Sequence, residues 1–491
     1  MPRTRQERHA RPAVPRRESD WRLFDQLPIL SQPGGVGAEI SAAGGLRADP
    51  SGDPEPPGGS PSPAEGPRQP SRAAPTNDER PPPIAYAFFA RFLRRDLEVS
   101  APRAAEFAPL VGLGLGSVYG DGPERQAYLY DSEDVGRRGV IEKLRVGRIA
   151  GCGLPDLPRY EGGAALVGDS RADRYVVDAQ LHLAFLLAHN KLVDRARAAG
   201  VEDARRAAAT TLRRLYHHVA WHDFARRWLD REVFARALHR ERTMERRCCW
   251  RHGLEDVVAP PLLGLPLELV CVLRVIESTA DAALASRRHG GLDTVHDPAL
   301  NAPFRELAAA DGTREHGRGP GPLRPRDVVQ WDWFLELSSS GGRYPLRAQP
   351  LGVPNELDGE VADPQTGEAE RLSLRLPAAD AMVRWLGLES CFGSGASPVP
   401  LSRYLALESE AGSRLGKLGS VILGATLAAA LLGDPTSWFR CDPGWSPESD
   451  PLLRPGEDDV DSAPEWTLAS IVRLAGLAGD AESLRRRAAL A

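Results

Sequence analysis

The sequence predicts a mostly α-helical protein, with a single large helical domain behind a disordered N-terminal tail. Two observations support this fold class. Apolar residues recur at helical spacing in several long stretches after residue 84, whereas alternating strand patterns are few and short. The chain of 491 residues is also 42% hydrophobic, which is enough to bury a sizeable core. We therefore assign residues 1–83 to the tail and residues 84–491 to the helical domain.

The tail is predicted from its composition. Residues 32–83 consist mainly of Pro, Gly, Ser, Ala and charged residues. Such a segment cannot bury enough apolar surface to offset the entropy that it would lose on ordering. A short apolar island near residues 21–28, Trp21-Arg-Leu-Phe-Asp-Gln-Leu-Pro28, precedes this segment. We expect the island to dock on the helical domain.

The helical domain begins with a helical pattern at Tyr86 and continues with four longer predicted helices. These helices span residues 173–194, 203–229, 267–286 and 413–433. Leu181 and Phe185 lie on the apolar face of the first of them. Pro266 directly precedes the third helix, where proline favours a helix start, and Gly433 ends the fourth, where glycine favours a stop. No internal repeat is visible, so we expect one domain.

Composition and charge exclude several classes of function. The formal net charge is −5, so we expect no broad electrostatic binding to nucleic acid or to a membrane surface. The N-terminal residues lack the apolar core of a secretory signal, and the longest apolar run, residues 421–432, is too short to span a bilayer. The six cysteines form no C-x-x-C pair and no disulfide framework. The sequence therefore predicts a soluble cytoplasmic protein without a membrane anchor.

Four short motifs follow one another along the helical domain. They are Gly116-Ser-Val-Tyr-Gly-Asp-Gly-Pro123, Gly168-Asp-Ser-Arg171 with the following Gln180-Leu-His-Leu-Ala-Phe185, His222-Asp-Phe224, and Leu415-Gly-Lys-Leu-Gly419. In this order and spacing the motifs resemble bacterial members of the animal haem peroxidase family, which are relatives of mammalian peroxidases and cyclooxygenases. The resemblance covers about residues 84–478.

The resemblance implies the helical fold of that family and its chemistry, in which a bound haem uses a peroxide to oxidise small organic substrates. It also implies a role in the response to oxidative stress. In the family, a proximal histidine binds the haem iron and a distal histidine moves a proton between the peroxide oxygens. A nearby arginine stabilises charge as the O–O bond breaks. Each of these positions can be matched to a residue of this chain.

The distal segment of the family matches residues 86–96. Arg95 stands at the position of the distal histidine, Arg94 at that of an aspartate and Arg91 at that of a glutamine. Asp96 keeps the family residue, which is a calcium ligand in some relatives. Because a guanidinium stays protonated, Arg95 cannot accept the peroxide proton. The resemblance therefore implies that general-base catalysis is lost here and that Asp96 is the candidate calcium ligand.

The catalytic arginine of the family belongs to a Gly-Asp-x-Arg motif, which Gly168-Asp-Ser-Arg171 matches. Arg171 is therefore the retained member of the catalytic set. Three positions later, relatives carry an acidic residue that can touch or esterify the edge of the haem, whereas this chain has Arg174. A cation consequently replaces a carboxylate at that edge.

The proximal segment of the family matches a run that starts at Pro266-Leu-Glu268. With a one-residue gap Glu277 takes the position of the proximal histidine, and without the gap Ser278 takes it. A carboxylate is a poor substitute for imidazole as a ligand of ferric haem iron. The resemblance thus implies a haem peroxidase family protein whose catalysis is impaired or lost.

Three hypotheses about function remain open at this stage. The first is a haem enzyme that uses Glu277 or another residue as the iron ligand. The second is a non-enzymatic relative with the same fold and a binding or scaffold role. The third is a small-anion-binding module built on Arg91, Arg94, Arg95 and Arg174, because clustered guanidiniums suit phosphate or carboxylate groups.

The alternative for these arginines is that they pair with carboxylates and fill the former haem pocket. The candidate partners are Asp96, Asp169, Asp173 and Glu277. Two histidine pairs have a similar alternative. His182 and His189 share a helix face and are interpreted as core histidines, and His218 and His222 could clamp a metal at i, i+4 but lack a third ligand in the sequence.

Overall fold

A computed structural model describes part of the chain. The described residues are 22–24, 26–30, 80–103, 112–136, 139–237, 264–289, 321–323, 328–337, 345–348, 372, 374–391, 398–409, 414–434, 436–454 and 465–478. The predicted disordered segment 32–83 lies outside these residues except at positions 80–83. Helices make up 53% of the described residues and strands 5%. This confirms the predicted mostly α-helical class.

The secondary structure consists mainly of helices. The described α-helices are α1 Ala85–Arg103, α2 Gly116–Tyr119, α3 Val176–Ala198, α4 Ala204–His218, α5 Arg226–Trp228, α6 Arg231–Ala237, α7 Leu267–His289, α8 Ala379–Trp385, α9 Leu401–Glu408, α10 Lys417–Gly433, α11 Trp438–Cys441 and α12 Leu468–Leu474. Strands β1 (Gly147–Arg148) and β2 (Pro155–Asp156) form an antiparallel pair. Their two-residue length agrees with the weak strand signals in the sequence.

The predicted helices lie close to the observed ones. The helix predicted at 173–194 begins at Val176, because the preceding Ser170–Asp173 segment forms a separate 3-10 helix. The helix predicted at 267–286 begins at Leu267, directly after the proline, and continues to His289. The helix predicted at 413–433 begins later, at Lys417, and ends at the expected glycine. Helix ends therefore differ by a few residues, as the local caps decide them.

The helix predicted at 203–229 is interrupted by a π-helix, Val219–Ala225, between α4 and α5. A π-helix holds more residues per turn than an α-helix, so the side chains that follow it are rotated. Asp223 in this segment is buried and accepts hydrogen bonds from the Tyr86 hydroxyl (2.6 Å), from Arg227 Nε (2.6 Å) and from the backbone N–H of the first residue of α12 (2.8 Å). One carboxylate thus connects α1, α5 and α12.

Helix α1 runs through the core, and every residue between positions 84 and 97 is buried. Helix α7 packs along α1, α3 packs on another side of it, and α4 packs on α3. Aromatic rings fill the space between α1, α3 and α4. Phe92 stacks on Phe185 with 4.4 Å between ring centroids, and Tyr216 meets Phe92 edge-on. Because α1 is surrounded, its polar side chains must find their partners inside the protein.

The apolar run of residues 421–432 lies in α10, whose side chains are buried on nearly every side. A helix that is apolar all round is typical of the interior of a large domain. Among the helices in the described ranges, none combines the length and the apolar character that crossing a lipid bilayer requires.

The apolar island of the tail lies against the helical domain. Leu23 and Phe24 are buried, and their backbone N–H groups donate to the carboxylate of Glu268 at 2.9 and 3.3 Å. The ring of Phe24 packs edge-on against Trp385, with 5.6 Å between centroids. These contacts attach the island to the start of α7 and to the end of α8.

We expect Phe24→Ala to release the island from the domain. Truncating a buried phenylalanine costs about 3–5 kcal/mol. Here this loss weakens the docking of a short segment, so the segment opens more often without unfolding the domain. Hydrogen–deuterium exchange of residues 22–30 should therefore rise on the order of 100-fold. Gln26→Ala is the matched control, because Gln26 is exposed in the same segment. Unchanged exchange in Phe24→Ala would show that the island is held by other contacts.

Candidate functional site

The candidate site lies where α1, α3 and α7 meet. Arg91, Arg94 and Arg95 stand three and four positions apart on α1, so their side chains leave the helix on one face. They are only 4%, 7% and 4% exposed. Guanidinium groups are rarely so deeply buried unless carboxylates compensate the loss of hydration. The partners of these three groups therefore decide the chemistry of the site.

Arg94 pairs with Glu277, the residue at the proximal histidine position. Arg94 Nε donates to Glu277 Oε1 at 2.6 Å and Arg94 Nη2 donates to Glu277 Oε2 at 3.2 Å, so both carboxylate oxygens are engaged. Glu277 is completely buried. Burial raises the pKa of Glu277, but the charges of Arg94, Arg91 and Arg274 and the hydrogen bond from Arg94 together outweigh burial, so the pKa is lowered. Glu277 is therefore an anion that compensates the charge of Arg94.

Arg91 and Arg95 share a second carboxylate, Asp178, in the first turn of α3. Arg91 Nη1 donates to Asp178 Oδ2 at 3.0 Å, and Arg95 Nη1 lies 3.4 Å from the same oxygen. Arg91 Nε also lies 3.7 Å from Glu277 Oε2, and its guanidinium covers the ring of Tyr175. The sequence reasoning missed Asp178, because its position on a largely apolar helix gave no sign of an ion pair.

Arg171, the retained catalytic arginine of the resemblance, lies at the outer edge of the site. Its side chain is 42% exposed and forms ion pairs with Glu98 and Asp169. Its backbone carbonyl accepts a hydrogen bond from Arg95 Nη1 at 3.0 Å. Arg174 does not join the cluster, since it is exposed and its guanidinium lies over the ring of Tyr175. Arg174 therefore lies beside the cluster, since the Tyr175 ring also contacts Arg91, but it stays at the solvent-exposed side and is not buried with the other three arginines.

Two of the expected carboxylate partners are used elsewhere. Asp96 accepts hydrogen bonds from the backbone N–H groups of Leu115 (3.0 Å) and Gly116 (2.7 Å), and so fixes the start of α2, where Leu115 has a positive φ of 54°. Asp173 pairs with Arg159 at 2.7 Å. The expectation that Asp96 and Asp173 neutralise the α1 arginines is wrong, because Asp96 binds backbone N–H groups and Asp173 binds Arg159 instead.

The described residues provide no set of ligands for the calcium site predicted at Asp96 or for a histidine metal site. Both oxygens of Asp96 already accept backbone hydrogen bonds. Within the described ranges, no group of three or more His, Cys, Asp or Glu residues is placed to hold a metal ion. His189 is buried, and its ring nitrogens contact the Tyr119 hydroxyl (3.1 Å) and the backbone oxygen of Glu142 (3.1 Å). Burial lowers the pKa of His189 to about 4, as expected for a core histidine.

The residues at the distal and proximal positions do not fit a haem between them. Atoms that pack on a porphyrin face stand about 3.5 Å from it, and an atom that ligates the iron stands about 2 Å from it, so groups on opposite faces must lie more than about 5 Å apart. Arg94 on α1, which the resemblance matches to the distal segment, instead lies 2.6 Å from Glu277 on α7, which it matches to the proximal segment. Direct contact between the two helices leaves no gap for the ring at this place.

Comparisons with known proteins identify no similar protein. The chain matches no protein-family model, and neither curated proteins nor solved structures give a match. The likeness to the haem peroxidase family therefore rests on the motifs quoted above.

We expect the Arg94–Glu277 pair to behave as one unit in a double-mutant cycle. Either Arg94→Leu or Glu277→Leu removes the main partner of a buried charge and should cost about 3 kcal/mol in the free energy of unfolding. The weaker contacts of Arg91 with Glu277 (3.7 Å) and of Glu98 with Arg94 (2.9 Å) remain. The double variant should cost much less than the sum, since it removes both charges. Urea unfolding measures all three values. Additive losses would contradict the coupling.

The control for this cycle is an ion pair whose guanidinium is exposed to solvent. Arg384 lies 2.8 Å from Asp380, and its side chain is 71% exposed. Arg384→Leu should change the free energy of unfolding by no more than about 0.5 kcal/mol, because solvent screens such a pair.

We expect Asp96 to make stability fall as pH rises through the weakly acidic range. Burial raises the pKa of Asp96 from 3.8 to about 6. A raised folded-state pKa gives a stabilising contribution that is complete below the unfolded pKa and is lost as pH approaches 6. Relative to Asp96→Asn, the wild type should lose up to about 3 kcal/mol between pH 4 and pH 7. Chemical denaturation across that range measures the difference, and a constant value would contradict the raised pKa.

Proposed function

We propose that this chain is a non-catalytic member of the animal haem peroxidase family, with a binding or scaffold role. In this proposal an ion-pair network occupies the place of the prosthetic group. The observation that carries it is the direct contact between Arg94 and Glu277, at 2.6 and 3.2 Å, between the helices that would flank a haem. The fold type and the family origin rest on the order and spacing of the sequence motifs.

The side chains at the former catalytic positions are unsuited to peroxide chemistry. A guanidinium has only donors, so Arg95 offers no lone pair to take a proton from a peroxide. Both oxygens of Glu277 are held by Arg94, so neither is directed towards an iron. Among the catalytic positions, Arg171 keeps the family residue, and its guanidinium pairs with Glu98 and Asp169 at the protein surface. One retained arginine without its two imidazoles does not make a peroxidase site.

The network suits a structural role better than an enzymatic one. Asp178 and Glu277 come from different helices and both bind guanidiniums of α1, so the charges specify how α1, α3 and α7 are arranged. A haem enzyme on this chain would require both ion pairs to open and the two helices to separate. Breaking such buried pairs is costly, because it leaves uncompensated charges in the core.

A haemin titration tests the proposed function. The purified full-length protein is mixed with haemin, and the Soret band, the pyridine haemochrome and peroxide-driven oxidation of a dye are recorded. We expect no saturation at one haem per chain, because the two flanking helices are in contact, and dye oxidation no faster than with the same amount of haemin alone. Stoichiometric binding with axial coordination of the iron and rapid turnover of peroxide would overturn the proposal.

A further inference from the structure

Three neighbouring polar atoms in the arginine network make no hydrogen bond to any described residue. They are Arg95 Nη2, Asp178 Oδ1 and His182 Nδ1. The three residues are 4%, 0% and 1% exposed. A buried polar group without a partner costs free energy, so such groups are rare singly and more so as a cluster. We call this cluster the Arg95 site.

The three side chains lie near one another between α1 and α3. Arg95 Nη1 lies 3.4 Å from Asp178 Oδ2, which brings the two charged groups into contact. Asp178 and His182 are one turn apart on α3 and so face the same way. The ring of His182 lies 6.3 Å from that of Phe92, which is one turn before Arg95 on α1. The partnerless atoms therefore belong to one site.

The charges at this site favour an anion. The buried part of the network holds three guanidiniums, Arg91, Arg94 and Arg95, and two carboxylates, Asp178 and Glu277. One positive charge is left over, and it falls on Arg95, which has only a shared carboxylate. The peripheral Glu98, Asp169 and Arg171 together add one negative charge, and the partly buried Arg274, whose charge lowers the pKa of Glu277, adds one positive charge. The network therefore keeps one net positive charge.

The protonation states of the site agree with this assignment. Burial lowers the pKa of Arg95 against the opposing effect of Asp178, whereas the pKa of the fully paired Arg94 is raised by its two carboxylates in spite of burial. Burial lowers the pKa of His182 to about 3, and the charge of Arg95 acts in the same direction. His182 is therefore a neutral imidazole whose Nδ1 can either donate or accept.

The carboxylate in the site restricts the kind of anion. Asp178 Oδ1 is an acceptor and needs a donor, and it would repel a bare anion placed beside it. An oxyanion that keeps one hydroxyl group satisfies both requirements, because its charged oxygens face Arg95 and its hydroxyl faces Asp178. Because the three residues are at most 4% exposed, a small ion of this kind is favoured over a large one.

We propose that the Arg95 site binds bicarbonate, a singly charged oxyanion with one hydroxyl group. Its charged oxygens accept a hydrogen bond from Arg95 Nη2, its hydroxyl donates to Asp178 Oδ1, and His182 Nδ1 makes the third contact. This proposal goes beyond the proposed function and does not depend on an origin among haem peroxidases.

Isothermal titration calorimetry with sodium bicarbonate at pH 8 tests the proposal on the full-length protein. Sodium formate and sodium chloride are titrated at the same ionic strength. Bicarbonate should give saturable binding at one ion per chain. Formate should bind roughly tenfold more weakly, because it has no hydroxyl for Asp178. Chloride should give no saturable heat. Equal responses to all three ions, or no saturation with bicarbonate because the site holds only water, would overturn the proposal.

Variants locate the binding. Arg95→Gln removes the charge and should weaken bicarbonate binding by roughly tenfold or more. Arg384→Gln, which removes an exposed guanidinium outside the network, should leave the affinity unchanged. His182→Leu keeps the contact between Arg95 and Asp178 and should weaken bicarbonate binding roughly fivefold. If circular dichroism shows that Arg95→Gln is unfolded, His182→Leu serves as the test in its place. Unchanged affinity in a folded variant of either residue would overturn the assignment, whereas the haemin result would stand.

Discussion

A guanidinium that leaves water must be met by a carboxylate, and this constraint decides how the central helices are arranged. Residues 85–97 of helix α1 are all buried, yet this stretch carries Arg91, Arg94 and Arg95 on one face. Asp178 from α3 and Glu277 from α7 meet that face. Because desolvation offsets much of the Coulomb attraction, such pairs contribute little net stability. Their effect is on specificity, since a shifted or rotated helix would bury charges alone.

The sequence was sufficient for the coarse fold and for part of the site. Periodic apolar residues indicated the long helices, because burial on one face or all round leaves a regular spacing in the sequence. The spacing of Arg91, Arg94 and Arg95 placed them on one face of α1. Glu277 was named as the residue opposite this face through the family motifs, and the structure brings it against Arg94.

The partners of the charged groups could not be predicted from the sequence. Ion pairing depends on how far each helix is rotated and on which backbone groups compete for the same carboxylate. Asp96 is adjacent to Arg95 in sequence but binds the backbone at the start of α2, while Asp178 was overlooked. Arg174 lies outside because the chain turns from a 3-10 helix into α3 at that point, which leaves its side chain in solvent. Such turns have no periodic signal.

The number of residues in the π-helix Val219–Ala225 determines which side chain points into the core after it. Adding or removing one residue turns everything beyond it by about 100° around the helix axis. Asp223 reaches Tyr86 and the start of α12 only with the present number of residues. An ancestor with a regular helix here would have directed a different side chain inwards. A single codon gained or lost can therefore reassign which residue joins α1 to α12.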